Sequence, residues 1–250
     1  MPTRNLNARD EREVIFMSGR TVIVTGSSGQ LGSAICSAIK NKGIETVGLD
    51  SKSGLHTSEV IDLSIQDRSF FEEVVRKTSC TTIINNAGIA IFDDPTSREW
   101  LDAQRLFRLN YFVPQSFMNA ALRVCSRCRV INVGSIYGHR AADQSIYVDS
   151  DRSSSEIYGS SKAALIFLTR YYASRFGSES FQFNSVSPGG VWADIPGQSE
   201  AFRTRYSDKV PLKRMADSNE IAETVAWLGL DAPNYLNGQD ILVDGGYSAR

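Results

Sequence analysis

The chain has 250 residues, a formal net charge of -1 and an isoelectric point near 6.2. That balance gives no electrostatic case for nucleic acid or an anionic membrane as partner. No apolar run approaches the roughly 18–20 residues that span a bilayer, and the charged first twenty residues lack the apolar stretch of a signal peptide, so the cytoplasm is the expected compartment.

This length suits a single continuous core. One domain is expected over residues 17–250, behind a polar extension of residues 1–16. Residues 21–25 form a β-branched run suited to a buried parallel strand. The run breaks into Gly26-Ser27-Ser28-Gly29, after which Leu31, Ala34, Ile35, Ala38 and Ile39 recur at helical spacing up to Gly43. A second strand at 46–49 closes on Asp50, and a third at 60–61 closes on Asp62. Residues 66–77 read as an amphipathic helix with Phe70, Phe71, Val74 and Val75 inward.

A fourth strand at 81–84 runs into Asn85-Asn86-Ala87-Gly88. A long helical stretch over 97–123 is interrupted near Pro114, and a fifth strand at 130–133 ends at Gly134-Ser135. The polar segment 138–155 precedes a helix over 156–175. A strand at 181–186, the turn Ser187-Pro188-Gly189-Gly190, a helix at 218–230 and a strand at 241–243 complete the chain before Asp244-Gly245-Gly246. Strands alternating with helices predict βαβ units, hence an α/β, doubly wound parallel sheet of about seven strands in a three-layer αβα arrangement.

Cys125-Ser-Arg-Cys128 is a lone CxxC, and His56 and His139 are the only histidines. With no second CxxC, and with the pair just before a strand rather than at a helix start, the expected reading is incidental thiols and no metal.

The segment from Gly26 through Ser28, Gln30 and Leu31 to Gly32 links a strand to a helix. A pyrophosphate can lie there against backbone N–H groups and the positive helix end. Asp50 stands at the end of the next strand, about 20 residues on, where a carboxylate accepts both ribose hydroxyls of NAD and repels the 2′-phosphate of NADP. NAD is therefore the expected cofactor, with Lys52 leaving some room for NADP.

Tyr158 and Lys162 are four residues apart on one helix face. A tyrosine with an ordinary pKa near 10 is a poor base at neutral pH, and an ammonium one turn away favours its phenolate. Tyr147 competes for the role, but the residue four beyond it is Asp151, which cannot stabilise a phenolate.

These motifs, taken in order from the glycine loop to Asp244-Gly245-Gly246, resemble the ordinary single-domain short-chain dehydrogenases/reductases. The resemblance implies a Rossmann-type fold and hydride transfer between NAD(H) and a secondary alcohol or ketone. It implies that Tyr158 exchanges a proton with the substrate and that Lys162 lowers the tyrosine pKa and holds the nicotinamide ribose. Ser135 would bond the reacting oxygen and Asn110 would anchor a water relay. Asp62 and Leu63 would flank the adenine, Asn86, Ala87 and Gly88 would line the groove, and Pro188, Gly189 and Val191 would meet the nicotinamide. It also implies a homodimer or homotetramer, with Phe167, Tyr171, Tyr172 and Trp227 available either to an interface or to the core.

Three features depart from the family pattern. The loop reads GxxGxxG, the spacing of the extended, sugar-nucleotide-modifying branch, and Ala193 stands where members carry Thr. The interval from Ser135 to Tyr158 is enlarged, and its polar content (Asp143, Gln144, Asp149, Asp151, Arg152) suits a hydroxyl-rich ligand. This insert, with Tyr137-Gly138 and residues 168–172, also resembles members from bacterial surface-glycan and flagellin-modification gene sets. A sugar or sugar-nucleotide hydroxyl is therefore an expected substrate. One alternative is an NAD-retaining sugar-nucleotide epimerase or dehydratase. Another is an NAD-binding sensor or scaffold, against which the intact Asn110, Ser135, Tyr158 and Lys162 argue.

Overall fold

The computed structural model describes residues 20–148, 153–193 and 198–249. The extension 1–16 and Asp149, Asp151 and Arg152 of the polar segment lie outside the described residues. The strands are β1 (Thr21–Thr25), β2 (Glu45–Asp50), β3 (Glu59–Val60), β4 (Thr82–Asn85), β5 (Cys128–Val133), β6 (Phe181–Pro188) and β7 (Asp240–Val243). The helices are α1 (Gln30–Lys40), α2 (Arg68–Thr78), α3 (Trp100–Phe107), α4 (Val113–Val124), α5 (Glu156–Phe176), α6 (Glu200–Lys209) and α7 (Ser218–Leu230).

All pairings are parallel, in the order β3-β2-β1-β4-β5-β6-β7. The expected doubly wound sheet is present. Its order reverses between β1 and β4, and at such a point the loops leaving the two strands diverge and open a crevice.

Alternation along the strands divides the core in two. Val22 and Val24 face α1 and α7 with Ile35, Ile39, Ile84, Ile131 and Val225. Ile23 faces the other layer, where Phe71 of α2, Phe117 of α4, Leu165 of α5 and Phe183 of β6 meet. Phe71 and Phe117 pack edge to face with centroids 4.9 Å apart. The helices start where their caps dictate: Asp67 accepts from the Phe70 N–H, Ser155 from the Tyr158 N–H, and Asp217 forms a capping box with Glu220.

Two local expectations change. The break near Pro114 lies earlier, as a π-helical turn at Arg108–Phe112, and Pro114 sits in the first turn of α4, where its missing N–H costs no helix bond. The helix α6 has no counterpart in the sequence reading, because its apolar face is only Phe202 and Tyr206 in a charged segment.

Phe117 is fully buried between the sheet and α2. Phe117→Ala is expected to lower stability by about 3–5 kcal/mol, read as a shift in the urea unfolding midpoint.

Candidate active site

The loops leaving the carboxyl ends of β1, β2, β3 and β4 enclose a hollow of about 540 Å³, lined by Gly26, Ser28, Leu31, Asp50, Asp62, Leu63, Asn86, Ala87 and Gly88. Gly26 has φ +71°, and a side chain at Gly32 would overlap the Gly26 carbonyl oxygen. The first glycine thus makes the turn, and the third lets α1 approach it. No side chain caps α1, whose first turn carries no acid, so its positive end opens toward the hollow. The Asp50 carboxylate accepts from the Ser28 N–H at 2.9 Å and the Lys52 N–H at 3.0 Å, tying the loop to the end of β2. Asp62 accepts from the backbone and hydroxyl of Ser64, and these bonds hold its carboxyl below the ordinary range.

Of the residues expected to hold the phosphates, adenosine and groove, Gln30 does not line this hollow. Its side-chain amide donates to the Trp192 carbonyl at 2.6 Å, bridging the loop to the segment after β6.

The strand ends are sewn together. The Thr25 hydroxyl accepts from the backbone N–H groups of Asn86 (3.0 Å) and Ala87 (2.9 Å), while the Asn86 amide donates to the carbonyls of Thr25 and Gly26. Beyond this seam a second hollow, of about 290 Å³, is lined by Gly88, Val133, Ser135, Tyr158, Lys162, Pro188, Gly189 and Val191. These are the residues expected to surround a nicotinamide.

Asn110, fully buried in the π-helical turn, is satisfied by backbone. It accepts from the Ile89 N–H and donates to the Ile89 carbonyl, both at 2.9 Å, and to the Ser161 hydroxyl at 3.1 Å. It therefore pins the Gly88–Ile89 segment to α5.

Lys162 is buried, and its ammonium donates to the Val133 carbonyl at 2.8 Å and lies 5.8 Å from the centroid of the Tyr158 ring. Burial pulls the Lys162 pKa down to about 8. Burial likewise pushes the half-buried Tyr158 above its ordinary value, and a hydrogen bond with the Ser135 side chain draws it back. The start of α5 is braced by Arg98, whose guanidinium bonds both Asp93 and Glu156.

A third hollow, of about 210 Å³, shares Ser135, Tyr158, Gly189 and Val191 with the second. Its walls include Phe92, Tyr137, Tyr147, Gln198, Phe202, Tyr206 and Met215. Apart from Tyr147, weighed as a rival base, and Tyr137, noted for the resemblance, sequence reasoning missed these positions. The four-residue spacing of Phe202 and Tyr206 behind the Ser199 cap was the available signal.

Two residues of the polar segment have partners within the protein. Asp143 pairs with Lys209, and Gln144 exchanges hydrogen bonds with the Ser154 backbone. These polar groups fasten the loop, while Tyr147 faces the hollow. At Ala193, Gln198 accepts from the residue's N–H at 3.0 Å and donates to the Val191 carbonyl, bracing this stretch.

Residues 31–248 match the family model described as enoyl-(acyl carrier protein) reductase. The 3-oxoacyl-(acyl-carrier-protein) reductase of Aquifex aeolicus is 27% identical, over 94% of this chain and 90% of that protein. The D-arabinitol 2-dehydrogenase (ribulose-forming) of Candida tropicalis is 25% identical, over 92% of this chain and 93% of its own. A short-chain dehydrogenase of Leptospira borgpetersenii with bound NAD+ superposes with a TM-score of 0.81 at 27% identity, covering 92% of both chains. With this sheet, these hollows and these relatives, the chain belongs to the short-chain dehydrogenase/reductase family and is an NAD(P)-dependent oxidoreductase acting on a CH–OH group.

Proposed function

We propose that the protein transfers hydride between NAD(H) and a secondary alcohol or ketone carried on a small, uncharged, hydroxylated substrate such as a sugar or polyol. The observation that carries this reading is that Ser135 and Tyr158 line both the second hollow and the third, so a reacting carbon in the third would meet them beside the nicotinamide site. Bound NAD(H) supplies or accepts the hydride; the chain moves the proton. In oxidation the Tyr158 phenolate takes the hydroxyl proton, Ser135 bonds the same oxygen, and the Lys162 ammonium favours the phenolate. Asn110, holding the Gly88–Ile89 segment beside Lys162, would seat the water that returns the proton to solvent.

Asp50 at the rim of the first hollow supports NAD over NADP, because its charge would oppose a 2′-phosphate. Among the described residues the third hollow has no charged side chain, so the diphosphate of a sugar nucleotide would find no cation there. Aromatic faces with tyrosine hydroxyls suit a hydroxylated ring, and the polyol named for the Candida tropicalis relative points the same way.

The exposed Phe167 and Tyr171 on α5, near Trp100, Leu101 and Phe112 in exposure, support a homo-oligomer; Tyr172 instead packs in the core. Among the described residues no helix is long and apolar enough to cross a membrane, and the four free thiols suit a reducing cytoplasm.

The test is a screen of sugars and polyols against simple ketones and 3-oxoacyl thioesters, following NADH; turnover of the thioesters alone would overturn the substrate class. Tyr158→Phe is expected to cut kcat by at least about 10²-fold while NADH still binds, and full activity would sink the mechanism. Asp50→Ala should narrow the ratio of kcat/KM for NAD over NADP; an unchanged ratio would relieve Asp50 of that role. In this reading the Tyr158–Lys162 pair gives up its first proton near pH 8, the value to which burial pulls Lys162. The singly protonated pair is the form that oxidises. Alcohol oxidation should therefore fall about tenfold per pH unit below that value and level off above it, whereas ketone reduction is level below and falls above. A flat oxidation profile from pH 6 to 9 would exclude the pair as proton acceptor.

A further inference from the structure

Three of the four cysteines converge at the amino-terminal ends of the central strands β4 and β5, opposite the carboxyl-end hollows. Cys80 lies two residues before β4, Cys125 is the C-terminal cap of α4, and Cys128 opens β5. Their sulfurs all lie within 4.8 Å of one another. Three thiolates around one ion at about 2.3 Å stand about 4 Å apart, so this spread needs only side-chain adjustment to close on a metal.

The cluster is held by backbone rather than by chance side-chain contact. The Cys128 N–H donates to the Ser180 carbonyl at 2.9 Å, the Arg129 N–H to Thr81 at 3.0 Å and the Cys125 N–H to Ala121 at 2.9 Å. Cys80 and Cys128 are buried, and Cys125 is partly exposed, giving an ion a way in. Among the described residues no histidine or carboxylate joins the three, so the donor set there is wholly soft sulfur, which selects d10 thiophilic ions over oxygen-seeking ones. Arg20, Arg127 and Arg129 line a hollow with Cys128, and the Arg129 Nη1 is buried with no hydrogen-bond partner among the described residues. The excess negative charge of three thiolates on one ion would therefore face cations.

We propose that Cys80, Cys125 and Cys128 form a trithiolate site that binds one thiophilic d10 metal ion per chain, clamping the α4–β5 turn to the entrance of β4. Sulfur–metal bonds replace S–H bonds, the protons pass to solvent, and nothing is oxidised. Monovalent copper would be complete with three sulfurs, whereas zinc would take a water on the Cys125 side.

The test titrates the full-length protein, kept reduced with a phosphine, with Cd2+ and follows the thiolate-to-metal charge-transfer band. Saturation at one equivalent is expected, with at least about tenfold weaker binding in Cys125→Ser and no change in Cys36→Ser, whose thiol lies apart in α1. Cys125 is the least buried of the three, and retained NADH binding certifies that its variant folds. One equivalent of Cd2+ should also raise the Tm of the unaltered protein but not of Cys125→Ser, and should slow alkylation of Cys125. Repeating the titration with Zn2+ and Cu+ identifies which ion is held more tightly. The proposal falls if no band saturates at one equivalent, if Cys125→Ser binds as well as the unaltered protein, or if the reduced chain takes up no ion and instead forms a Cys125–Cys128 disulfide in air.

Discussion

The hydroxyl of Thr25, accepting two backbone N–H groups from the Asn86–Ala87 turn, holds the molecule's working end together. A doubly wound sheet opens a crevice wherever its order reverses, and the diverging loops there have no ladder of their own. Here one side chain from β1 supplies the missing acceptor, and the Asn86 amide returns the favour to the β1 carbonyls. With the seam closed, Gly88 is delivered against Asn110 and Lys162. Ile89 is then placed for the two hydrogen bonds that lock it to the buried asparagine. The first hollow, the second hollow and the α5 helix thus share one set of fixed points.

Further along the sheet the same economy recurs. Asn85 donates to Asn132 at 2.8 Å, and Asn132 donates to Thr169 at 2.8 Å, so a buried polar chain links β4, β5 and α5. Such a chain specifies register, because a slip of either strand would leave these amides unpaired in an apolar interior. Lys162, one turn before Leu165 and Ile166 of the same helix, can then remain buried with a single carbonyl partner and still face Tyr158.

Much of this was legible in the sequence because it is written in local chemistry. β-Branched runs ending in Gly, Asp or Asn marked strands whose carboxyl ends carry the site. Gly26, Asp50, Asn86, Ser135, Tyr158 and Lys162 all lie where that reading put them. What escaped depends on long-range packing. The aromatic wall of Phe202 and Tyr206 comes from a helix whose pattern is almost wholly charged. Cys80 lies 45 residues from Cys125 in sequence, and only strand order makes them neighbours. The Gln30 side-chain bond to Trp192 escaped for a related reason: it crosses 162 residues of sequence. In the polar insert, the partners of Asp143 and Gln144 and the place of Tyr147 in the cavity wall were likewise not written in local pattern.

The π-helical turn at Arg108–Phe112 has a consequence for how this chain can change. Such a turn holds one residue more than an α-helix would over the same rise, and its geometry is less favourable than the helix on either side. Losing one residue there would leave Pro114 inside a continuous helix, with no donor for that turn. It would also swing the following positions by about 100° around the axis, carrying the asparagine out of register with Ile89 and Ser161. The irregularity therefore fixes which way the asparagine faces, and a shorter chain would lose its hold on Ile89 and Ser161.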